Sequence, residues 1–565
     1  MARMVETPWW SSSVVYQIYP RSFADTDGDG FGDLRGIIQH LDHVADLGAD
    51  VVWLSPIYAS PQDDNGYDIA DYQAIDPMFG TLDDFDELVA AVHARGMKLV
   101  MDLVVNHTSD EHAWFTESRR PDSDKRDWYI WRPAREGFEP GAPGAEPTNW
   151  GSFFGGSAWT WDEASREYYL HLFSRKQPDL NWENPAVREA VHTMMNWWVD
   201  RGVDGFRMDV INLISKTYPL TDGIIVPGDP YSFEIAKVAN GPRLVEFLEE
   251  MNAAVGITSR KLFTVGEMVA CGVDHAREYT SRHHERLGMV FTFEHVSVDH
   301  SGSKLSPKRL HLPDLKKNLA RWQEGLADEG WNSLYFENHD QPRSVSRWGD
   351  DRPEFRVASA KALATVLHLH QGTPYVYQGQ EIGVTNAGFT RIEQYADVEA
   401  LGQYAQATAA GMPAEDVLAA LALMGRDNAR TPMPWTREGG FTTGTPWLPL
   451  NASTAEVNVA DAEADPDGVL AHYKALIALR KKEAVVRDGA FALLLPEDEA
   501  LWAFTRTLGP ERLLVVANMA SRPTGFPVAE LPSVEGAELV LPSVHRGTDE
   551  RTLSPWEARV YRLKA

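Results

Sequence analysis

The sequence predicts an α/β protein built on a (β/α)8 barrel, a TIM barrel, followed by a small antiparallel β domain. Eight short apolar runs alternate with segments in which apolar residues recur at helical spacing, as expected of parallel strands joined by crossover helices. The runs are nearly all apolar rather than alternating, which is typical of strands buried on both faces. The chain has 565 residues and is 43% hydrophobic, so it can bury a full core and form more than one domain. An open doubly wound sheet is the alternative that this pattern leaves open.

The predicted barrel elements follow one another in order. Apolar residues from 34 to 47 predict the first helix, and Asn184-Pro185, a cap residue followed by proline, begins a later one. A long stretch rich in Trp, Gly, Pro and Asp interrupts the pattern after the third run. The eight runs are VVYQIYP (14–20), VVWLSPI (51–57), KLVMDLV (98–104), GFRMDV (205–210), LFTVGE (262–267), MVFTF (289–293), NSLYFE (332–337) and TPYVYQG (373–379).

The end of the chain changes to a strand pattern. A stripe from Leu470 to Ile477 predicts the last barrel helix. Beyond it the sequence predicts the strands of the small β domain. These strands are AFALLL (490–495), LWAFTRTL (501–508), LLVVANM (513–519), AELVLP (537–542) and EARVYRL (557–563).

Composition excludes several classes of protein. The 53 Lys and Arg against 82 Asp and Glu give a net charge of −29, which repels phosphate backbones and anionic lipid. We therefore expect neither a nucleic-acid partner nor a membrane partner, and small substrates remain. Cys271 is the only cysteine, which excludes an intrachain disulfide and fits a reducing compartment. Since no segment resembles a signal peptide or a membrane span, we expect a cytoplasmic protein, either a monomer or a small homo-oligomer.

Charged residues gather where the predicted strands end. In a barrel of this type the active site forms at the carboxyl ends of the strands. Several carboxylates at one end of a barrel lower the stability of the fold, because repulsion and desolvation oppose their ionisation. Their presence together therefore indicates a function. The residues in question are Asp102 on strand 3 and His107 after it, Arg207 and Asp209 on strand 4, Glu267 on strand 5, and His339 and Asp340 after strand 7.

Three of these residues predict a division of roles. Arg207 and Asp209 are two apart on a strand and share a face, so the guanidinium should keep Asp209 ionised. Glu267 follows an apolar strand and lies nearer to other acids, so its pKa should rise and leave it protonated. One ionised and one neutral carboxyl is the pairing that glycoside hydrolysis uses.

Five motifs carry a family resemblance. DLVVNHTS (102–109), GFRMDVIN (205–212), TVGEM (264–268), FENHDQPR (336–343) and QPDLNWEN (177–184) resemble signature regions of glycoside hydrolase family 13, the α-amylase family, in its oligo-1,6-glucosidase and α-glucosidase branch. The resemblance implies a retaining, exo-acting α-glucosidase for small α-glucosides with no organic cofactor. It also implies a barrel in two parts (1–104 and 175–389), an inserted domain B (105–174), a subdomain after strand 8 (390–460), a last barrel helix (461–484) and a C-terminal β-sandwich domain (485–565).

The resemblance assigns roles residue by residue. Asp209 would be the nucleophile, Glu267 the general acid and base, and Asp340 the third carboxylate, which grips sugar hydroxyls. Arg207, His107 and His339 would line the same subsite. Asp68 in GYD and Arg430 in NARTPM would hold the non-reducing end and close the pocket, and Phe154, rather than Phe153, would be the aromatic residue of the loop after Ser152.

The same comparison favours α-1,6 bonds. Val210 follows the nucleophile as in enzymes that act on these bonds. Two further matches point the same way: Lys304 in GSK, where relatives have a lysine that reaches the second sugar, and Glu381 in YQGQEIG, which would also bind substrate. Two departures are the Leu-Ser pair after Lys304, where relatives often carry Trp-Asp, and Glu337. The alternatives are a trehalose-6-phosphate hydrolase, a sucrose-active transglucosylase, a non-catalytic subunit that chaperones a transporter, and a calcium-buffering protein. Intact carboxylates argue against the third, and a single incomplete loop is poor support for the last.

An acidic loop after the first strand predicts a metal site. Its oxygen donors have EF-hand-like spacing, although position 12 is Gly36 and no helix precedes the loop. By the resemblance this loop holds one structural Ca²⁺, with Mg²⁺ as the alternative, away from the bond that is cleaved. The predicted ligands are Asp25, Asp27, Asp29, the carbonyl of Phe31, and Asp33.

Overall fold

The computed structural model describes residues 8–226, 228–544 and 551–564. The strands are β1 (Val15–Ile18), β2 (Val51–Leu54), β3 (Tyr58–Ala59), β4 (Asp71–Ile75), β5 (Lys98–Val104), β6 (Trp131–Arg132), β7 (Trp159–Asp162), β8 (Glu167–Leu170), β9 (Gly205–Asp209), β10 (Phe263–Glu267), β11 (Met289–Phe291), β12 (Ser333–Leu334), β13 (Thr373–Tyr377), β14 (Ala490–Leu494), β15 (Leu501–Leu508), β16 (Glu511–Asn518), β17 (Thr524–Gly525), β18 (Glu538–Pro542), β19 (Thr552–Leu553) and β20 (Ala558–Arg562). The helices are α1 (Leu34–Leu47), α2 (Leu82–Ala94), α3 (Ala113–Ser118), α4 (Pro185–Asp200), α5 (Leu244–Val255), α6 (Val273–Thr280), α7 (Leu312–Leu326), α8 (Ser344–Arg347), α9 (Arg356–His368), α10 (Val398–Ala409), α11 (Ala414–Met424), α12 (Asp427–Arg430), α13 (Val459–Ala464), α14 (Val469–Lys482) and α15 (Ala484–Asp488).

Eight parallel strands form the predicted barrel. Their order in the sheet is β11-β10-β9-β5-β2-β1-β13-β12, and a parallel bridge from Val290 to Asn332 joins the two outer strands. Each predicted run contains one of these strands, so the barrel is confirmed and the open sheet is wrong. The run at 332–337 is the one most shortened, because only Ser333 and Leu334 pair with β13 before the chain leaves the sheet.

Local sequence fixes where the barrel helices begin. Asn184 caps α4 by accepting a hydrogen bond from the Ala186 amide, and Pro185 occupies the first helical position, as predicted. Asp33 caps α1 in the same way by accepting from Gly36, and α1 ends at Gly48 in the left-handed conformation. The apolar stripe of α1 is buried against the barrel.

Two further units flank the barrel. The segment between β5 and α4 contains the three-stranded antiparallel sheet β6-β8-β7, and the insert after β13 contains α10, α11 and α12. The end of the chain forms the predicted antiparallel β domain, with strand order β14-β15-β16-β20-β18. Among the described residues, no helix is both long and apolar enough to cross a bilayer.

Buried cations hold the β domain against the barrel. Lys316 of α7 donates to the carbonyls of Leu495, Asp498 and Leu501 at 2.5, 2.5 and 2.8 Å. Arg506 of β15 donates to the carbonyl of Leu369, which follows α9. Burial lowers the pKa of Lys316 to about 8, yet the ammonium has carbonyl acceptors for all three of its protons. The β domain is therefore fixed to the outside of the barrel.

Candidate active site

The predicted charged residues converge at one end of the barrel. Asp102 lies on β5, Arg207 and Asp209 on β9, and Glu267 at the end of β10. His339 and Asp340 follow β12. Because the carboxyl ends of parallel strands meet at one rim, residues that are far apart in the chain come together here.

Arg207 joins the two predicted catalytic carboxyls. Its Nη1 lies 2.7 Å from Asp102 and 2.6 Å from Asp209, and its Nη2 lies 2.6 Å from Glu267. The guanidinium is 1% exposed, so these ion pairs are shielded from water. The convergence on which the functional hypothesis depends is therefore present in the structure.

Burial raises the pKa of both catalytic carboxyls, and their neighbours separate the two values. For Glu267 burial is the largest effect, Arg207 opposes it, and the nearby acids Asp209 and Asp340 reinforce it, which brings the pKa to about 8. For Asp209 burial is again the largest effect, but Arg207 and a hydrogen bond from Glu267 favour the ionised form, so its pKa is about 6. Asp209 is thus ionised and Glu267 protonated at neutral pH. The expectation that Arg207 alone governs Asp209 was incomplete, because burial outweighs it.

This pair predicts a bell-shaped pH dependence of kcat/KM. Activity should fall below about pH 6 as Asp209 gains a proton, and above about pH 8 as Glu267 loses the proton that it donates. Initial rates measured across this range give the profile, and melting temperatures at the same pH values serve as the control for unfolding. With an activated aryl glucoside, a Glu267→Gln variant should lose the alkaline limb and keep the acid limb. An unchanged alkaline limb would contradict the assignment.

Asp340 is held by two arginines and a histidine. Its carboxylate lies 3.2 Å from Arg426, 2.7 Å from Arg430 and 3.1 Å from His339. Burial alone would raise the pKa of Asp340, but these neighbours hold it well below its usual range. Burial lowers the pKa of His339 to about 3, so this histidine is neutral at neutral pH. The two arginines therefore keep Asp340 ionised, while its partly exposed oxygens can accept hydrogen bonds from a sugar.

Neutral histidines complete the inner wall. His339 contacts the Tyr67 hydroxyl at 2.6 Å and Gln17 at 2.8 Å, and its ring is stacked with that of Tyr67. His107 contacts the Tyr67 carbonyl at 3.1 Å, and burial lowers its pKa to about 4. Tyr67, which the sequence argument did not single out, thus links both predicted histidines to the site.

The predicted pair of Asp68 and Arg430 is not formed, which corrects the sequence assignment. Asp68 is fully buried and accepts from Ser60 Oγ and from the amides of residues 63 and 64. The loop turns Asp64 toward the pocket instead, where it lies 3.6 Å from Arg426. Burial raises the pKa of Asp64 to about 7, against the opposing effect of Arg426. Arg430 does reach the site, but as a partner of Asp340.

Phenylalanines form the wall next to Arg426. The Arg426 guanidinium lies 5.4 Å above the Phe154 ring, whereas Phe153 is 40% exposed. Phe173, which the sequence argument missed, packs against Phe154 at 5.5 Å and against His107 at 5.1 Å. The structure therefore brings Phe154 to the site, as the resemblance implied.

Of the two further residues predicted to bind substrate, Lys304 lies near the site and Glu381 does not. Lys304 lies 3.1 Å from Glu399 of α10, which also contacts Arg426 at 3.1 Å. The prediction for Glu381 is wrong, because this residue is fully buried and its carboxylate contacts the Tyr16 hydroxyl at 2.8 Å and His43 at 2.9 Å. The turn after β13 directs its side chain toward α1, whereas Glu399 faces the pocket from the subdomain.

Val210 adopts a strained backbone conformation beside the nucleophile. Its φ of 34° and ψ of 40° lie in the left-handed region, which is rare for a β-branched residue and costs about 1–3 kcal/mol. The conformation directs its amide to Glu267 Oε2 at 3.2 Å, and its side chain packs in an apolar cluster with residues of the β6–β8 segment. The strained backbone at Val210 therefore places an amide that holds the acid Glu267 beside the nucleophile Asp209.

The acidic loop brings three of its carboxylates together. Oxygens of Asp25, Asp27 and Asp29 lie within 4.8 Å of one another. Asp33 lies outside this cluster, and its two oxygens accept protein hydrogen bonds from Thr26 and from Gly36 in the cap of α1. Phe31 donates its amide to Asp29 at 2.8 Å, and its ring is stacked with that of Trp447.

Comparison with known proteins identifies the family. Residues 17–489 match the family described as the alpha amylase catalytic domain. An oligo-1,6-glucosidase of Halalkalibacterium halodurans is 52% identical over 99% of both chains, and a trehalose-6-phosphate hydrolase of Bacillus subtilis is 48% identical over 99% of both. The crystal structure of the trehalose-6-phosphate hydrolase of Bacillus licheniformis has a TM-score of 0.92 with 44% identity, covering 99% of this chain and 100% of that one. The chain is a glycoside hydrolase and belongs to the α-amylase family.

Proposed function

We propose that this protein is a retaining, exo-acting α-glucosidase that releases α-glucose from the non-reducing end of short α-glucosides and prefers α-1,6 bonds. One observation carries the proposal: a single guanidinium holds an ionised Asp209 and a protonated Glu267 side by side. Relatives named oligo-1,6-glucosidase, at 49 to 52% identity, support the choice of substrate.

The arrangement supports a double displacement. Asp209 attacks C1 of the terminal glucose while Glu267 protonates the leaving oxygen, and a covalent glucosyl ester forms on Asp209. Glu267, now ionised, then takes a proton from water, which attacks C1 and releases the sugar. Asp340 accepts hydrogen bonds from ring hydroxyls throughout, since the two arginines keep it ionised.

The spacing of the two acids supports retention. Asp209 and Glu267 each lie 2.6 Å from a terminal nitrogen of the Arg207 guanidinium, so the two carboxyls are neighbours. Retaining enzymes place these groups about 5 to 5.5 Å apart, whereas inverting enzymes need room for an intervening water. Proton NMR of fresh reaction mixtures should therefore show α-glucose first. Initial release of β-glucose would contradict the proposal.

Charged side chains close the inner end of the pocket. Arg426 contacts Asp64, Asp340 and Asp397, and the shortest of these distances is 2.5 Å, to Asp397. We infer that this network stops a chain from continuing past the terminal glucose. This supports attack on single units at the chain end.

Trehalose 6-phosphate is the second candidate substrate, because relatives with this activity are 48% identical. Lys304, the cation on the outer side, is already paired with Glu399, which favours a neutral second sugar. A panel of isomaltose, panose, maltose, sucrose and trehalose 6-phosphate, followed by glucose release and product analysis, tests the choice. A kcat/KM highest for the phosphorylated disaccharide would select the hydrolase of that compound, and isomerised products from sucrose would select the transglucosylase.

Val210 should tune linkage preference. Val210→Thr keeps the shape of the side chain but adds a hydroxyl beside the nucleophile, where the side chain now makes apolar contacts. The threonine variant therefore changes the polarity of this position. We expect the ratio of kcat/KM for isomaltose to that for maltose to fall about tenfold. Val210→Ala is the matched control, since it changes volume without polarity. The same ratio in the threonine variant and the wild type would contradict the role.

We also propose that the acidic loop binds one Ca²⁺, with Mg²⁺ as the alternative. Three clustered carboxylates suit a hard cation, and the pKa of Asp29 is raised by burial and by its acidic neighbours, a repulsion that a cation would relieve. Asp25, Asp27 and Asp29 would hold the ion, which would add stability and take no part in bond cleavage.

Removal of the metal should affect stability more than turnover. With a chelator we expect the melting temperature to fall by roughly 2 to 5 °C while kcat at low temperature stays unchanged. Ca²⁺ should reverse the shift in the wild type but not in Asp27→Asn/Asp29→Asn. A melting temperature that responds to neither chelator nor Ca²⁺ would contradict the proposal.

For the cellular setting we propose a cytoplasmic enzyme, either a monomer or a small homo-oligomer. Cys271 is a buried free thiol whose pKa burial raises to about 12, so disulfide chemistry contributes nothing to the fold. Sedimentation analysis would determine the oligomeric state.

A further inference from the structure

A second cleft opens where three parts of the molecule meet. It has a volume of about 770 Å³ and lies between the barrel, Leu423 and Met424 at the end of α11, and the β domain. None of the catalytic carboxyls lines it. Its size is that of small-molecule sites, which favour such boundaries between structural units.

The floor of the cleft is partly apolar. Leu312 of α7, Trp348 and Trp556 line it and are 4 to 6% exposed. The indole nitrogens of both tryptophans are already used, since Trp348 donates to Asp299 at 2.7 Å and Trp556 donates to Ser521 at 3.1 Å. These residues therefore offer apolar surface rather than hydrogen-bonding groups.

The rim is cationic in a protein of net charge −29. Lys308, Arg309 and Arg522 line the cleft and are exposed, and within the described residues none of their side chains forms an ion pair or hydrogen bond. The remaining two arginines are engaged, because Arg347 pairs with Asp299 and Arg352 with Asp350. Glu499 is the one carboxylate of the lining without a Lys or Arg partner among the described residues.

We infer that this cleft binds a small phosphorylated organic compound of about monosaccharide size. Guanidinium groups bind phosphate through paired charge-assisted hydrogen bonds, and Arg309 and Arg522 provide two such groups. Together with Lys308 they outnumber Glu499, the carboxylate of the lining without a Lys or Arg partner among the described residues. The apolar floor fits the carbon face of a sugar or similar ring. In an acidic protein an anion is repelled by most of the surface, so a local excess of cations is what makes binding at this place favourable.

Bound ligand would join separate parts of the chain. Arg347, a buried residue of the cleft lining, donates to Gln341 at 2.8 Å. Because Gln341 directly follows the catalytic Asp340, this contact connects the cleft to the active site. Arg309 belongs to the segment before α7, whereas Arg522 belongs to the β domain. A ligand that contacts both cations should therefore stabilise the contact between barrel and β domain, in proportion to its concentration.

Calorimetric titration of the full-length protein at low ionic strength tests the inference. The probes are glucose 6-phosphate, inorganic phosphate and, as a neutral reference, glucose. We expect glucose 6-phosphate to bind more tightly than inorganic phosphate, because only the former reaches the floor. Glucose should give no saturable binding that depends on the rim cations.

The double variant Arg309→Gln/Arg522→Gln should weaken glucose 6-phosphate binding about tenfold or more. The matched control is Arg166→Gln/Lys482→Gln, which removes the same charge from exposed positions outside the cleft and should bind as the wild type does. Circular dichroism confirms that each variant is folded. The inference is overturned if no phosphate compound binds, if inorganic phosphate binds as tightly as the sugar phosphate, or if the rim variant binds no more weakly than the control.

Discussion

Replacement of Asp209 by Asn is expected to lower kcat on isomaltose by about 10⁴-fold or more, because the amide cannot form the covalent glucosyl intermediate. The substitution keeps the size of the side chain and removes the charge that Arg207 contacts at 2.6 Å. Steady-state and single-turnover rates measure the effect, and mass spectrometry excludes deamidation back to Asp. Because binding depends mainly on Asp340 and its arginines, KM should change far less than kcat.

The matched control for this variant is Glu497→Gln. Glu497 is an exposed carboxylate paired with Lys317, outside the active site, and its loss should leave kcat unchanged. If Asp209→Asn retained activity within tenfold of the control, with no Asp detected, the nucleophile would have to be another residue and the proposed function would fail. Melting temperatures of both variants establish that the fold is intact.

The barrel and its catalytic centre could be predicted because both depend on short-range sequence patterns. A short apolar run is typical of a strand covered by helices on both faces, so the eight runs predicted the parallel strands, and the closure of the sheet into a barrel was favoured over an open sheet. Arg207, Asp209 and Glu267 lie on those strands, and the strand direction alone brings their side chains to one rim. Asp340 was predicted for the same reason, since it closely follows β12.

Residues on long loops could not be assigned in this way. Asp64 and Asp68 are four positions apart beside the same motif, and only the turn between them decides which faces Arg426. Glu381 and Glu399 present a similar choice after β13, and the buried contact with His43 removes the first from the pocket. In both cases the sequence offers two carboxylates, and only the backbone conformation determines which of them faces the pocket.

Replacement of Glu267 by Gln should separate the two chemical steps. The variant cannot protonate a sugar leaving group, so kcat/KM on isomaltose should fall by about 10³-fold or more, while a 4-nitrophenyl α-glucoside, whose leaving group needs little protonation, should lose much less in its first step. Hydrolysis of the intermediate should then become slow, because no base activates water. A burst of nitrophenol followed by a slow steady rate is the expected result.

Azide distinguishes this role from mere structural damage. The anion needs no general base, so it should attack the intermediate directly, restore turnover of the nitrophenyl substrate and give the α-glucosyl azide. It should leave Asp209→Asn inactive, because that variant forms no intermediate to attack. Since Arg207 and the Val210 amide contact the same carboxyl, their geometry is retained by Gln, and any loss is attributable to the proton rather than to position. Equal losses on both substrates without azide rescue would show that Glu267 aligns its neighbours but does not transfer the proton.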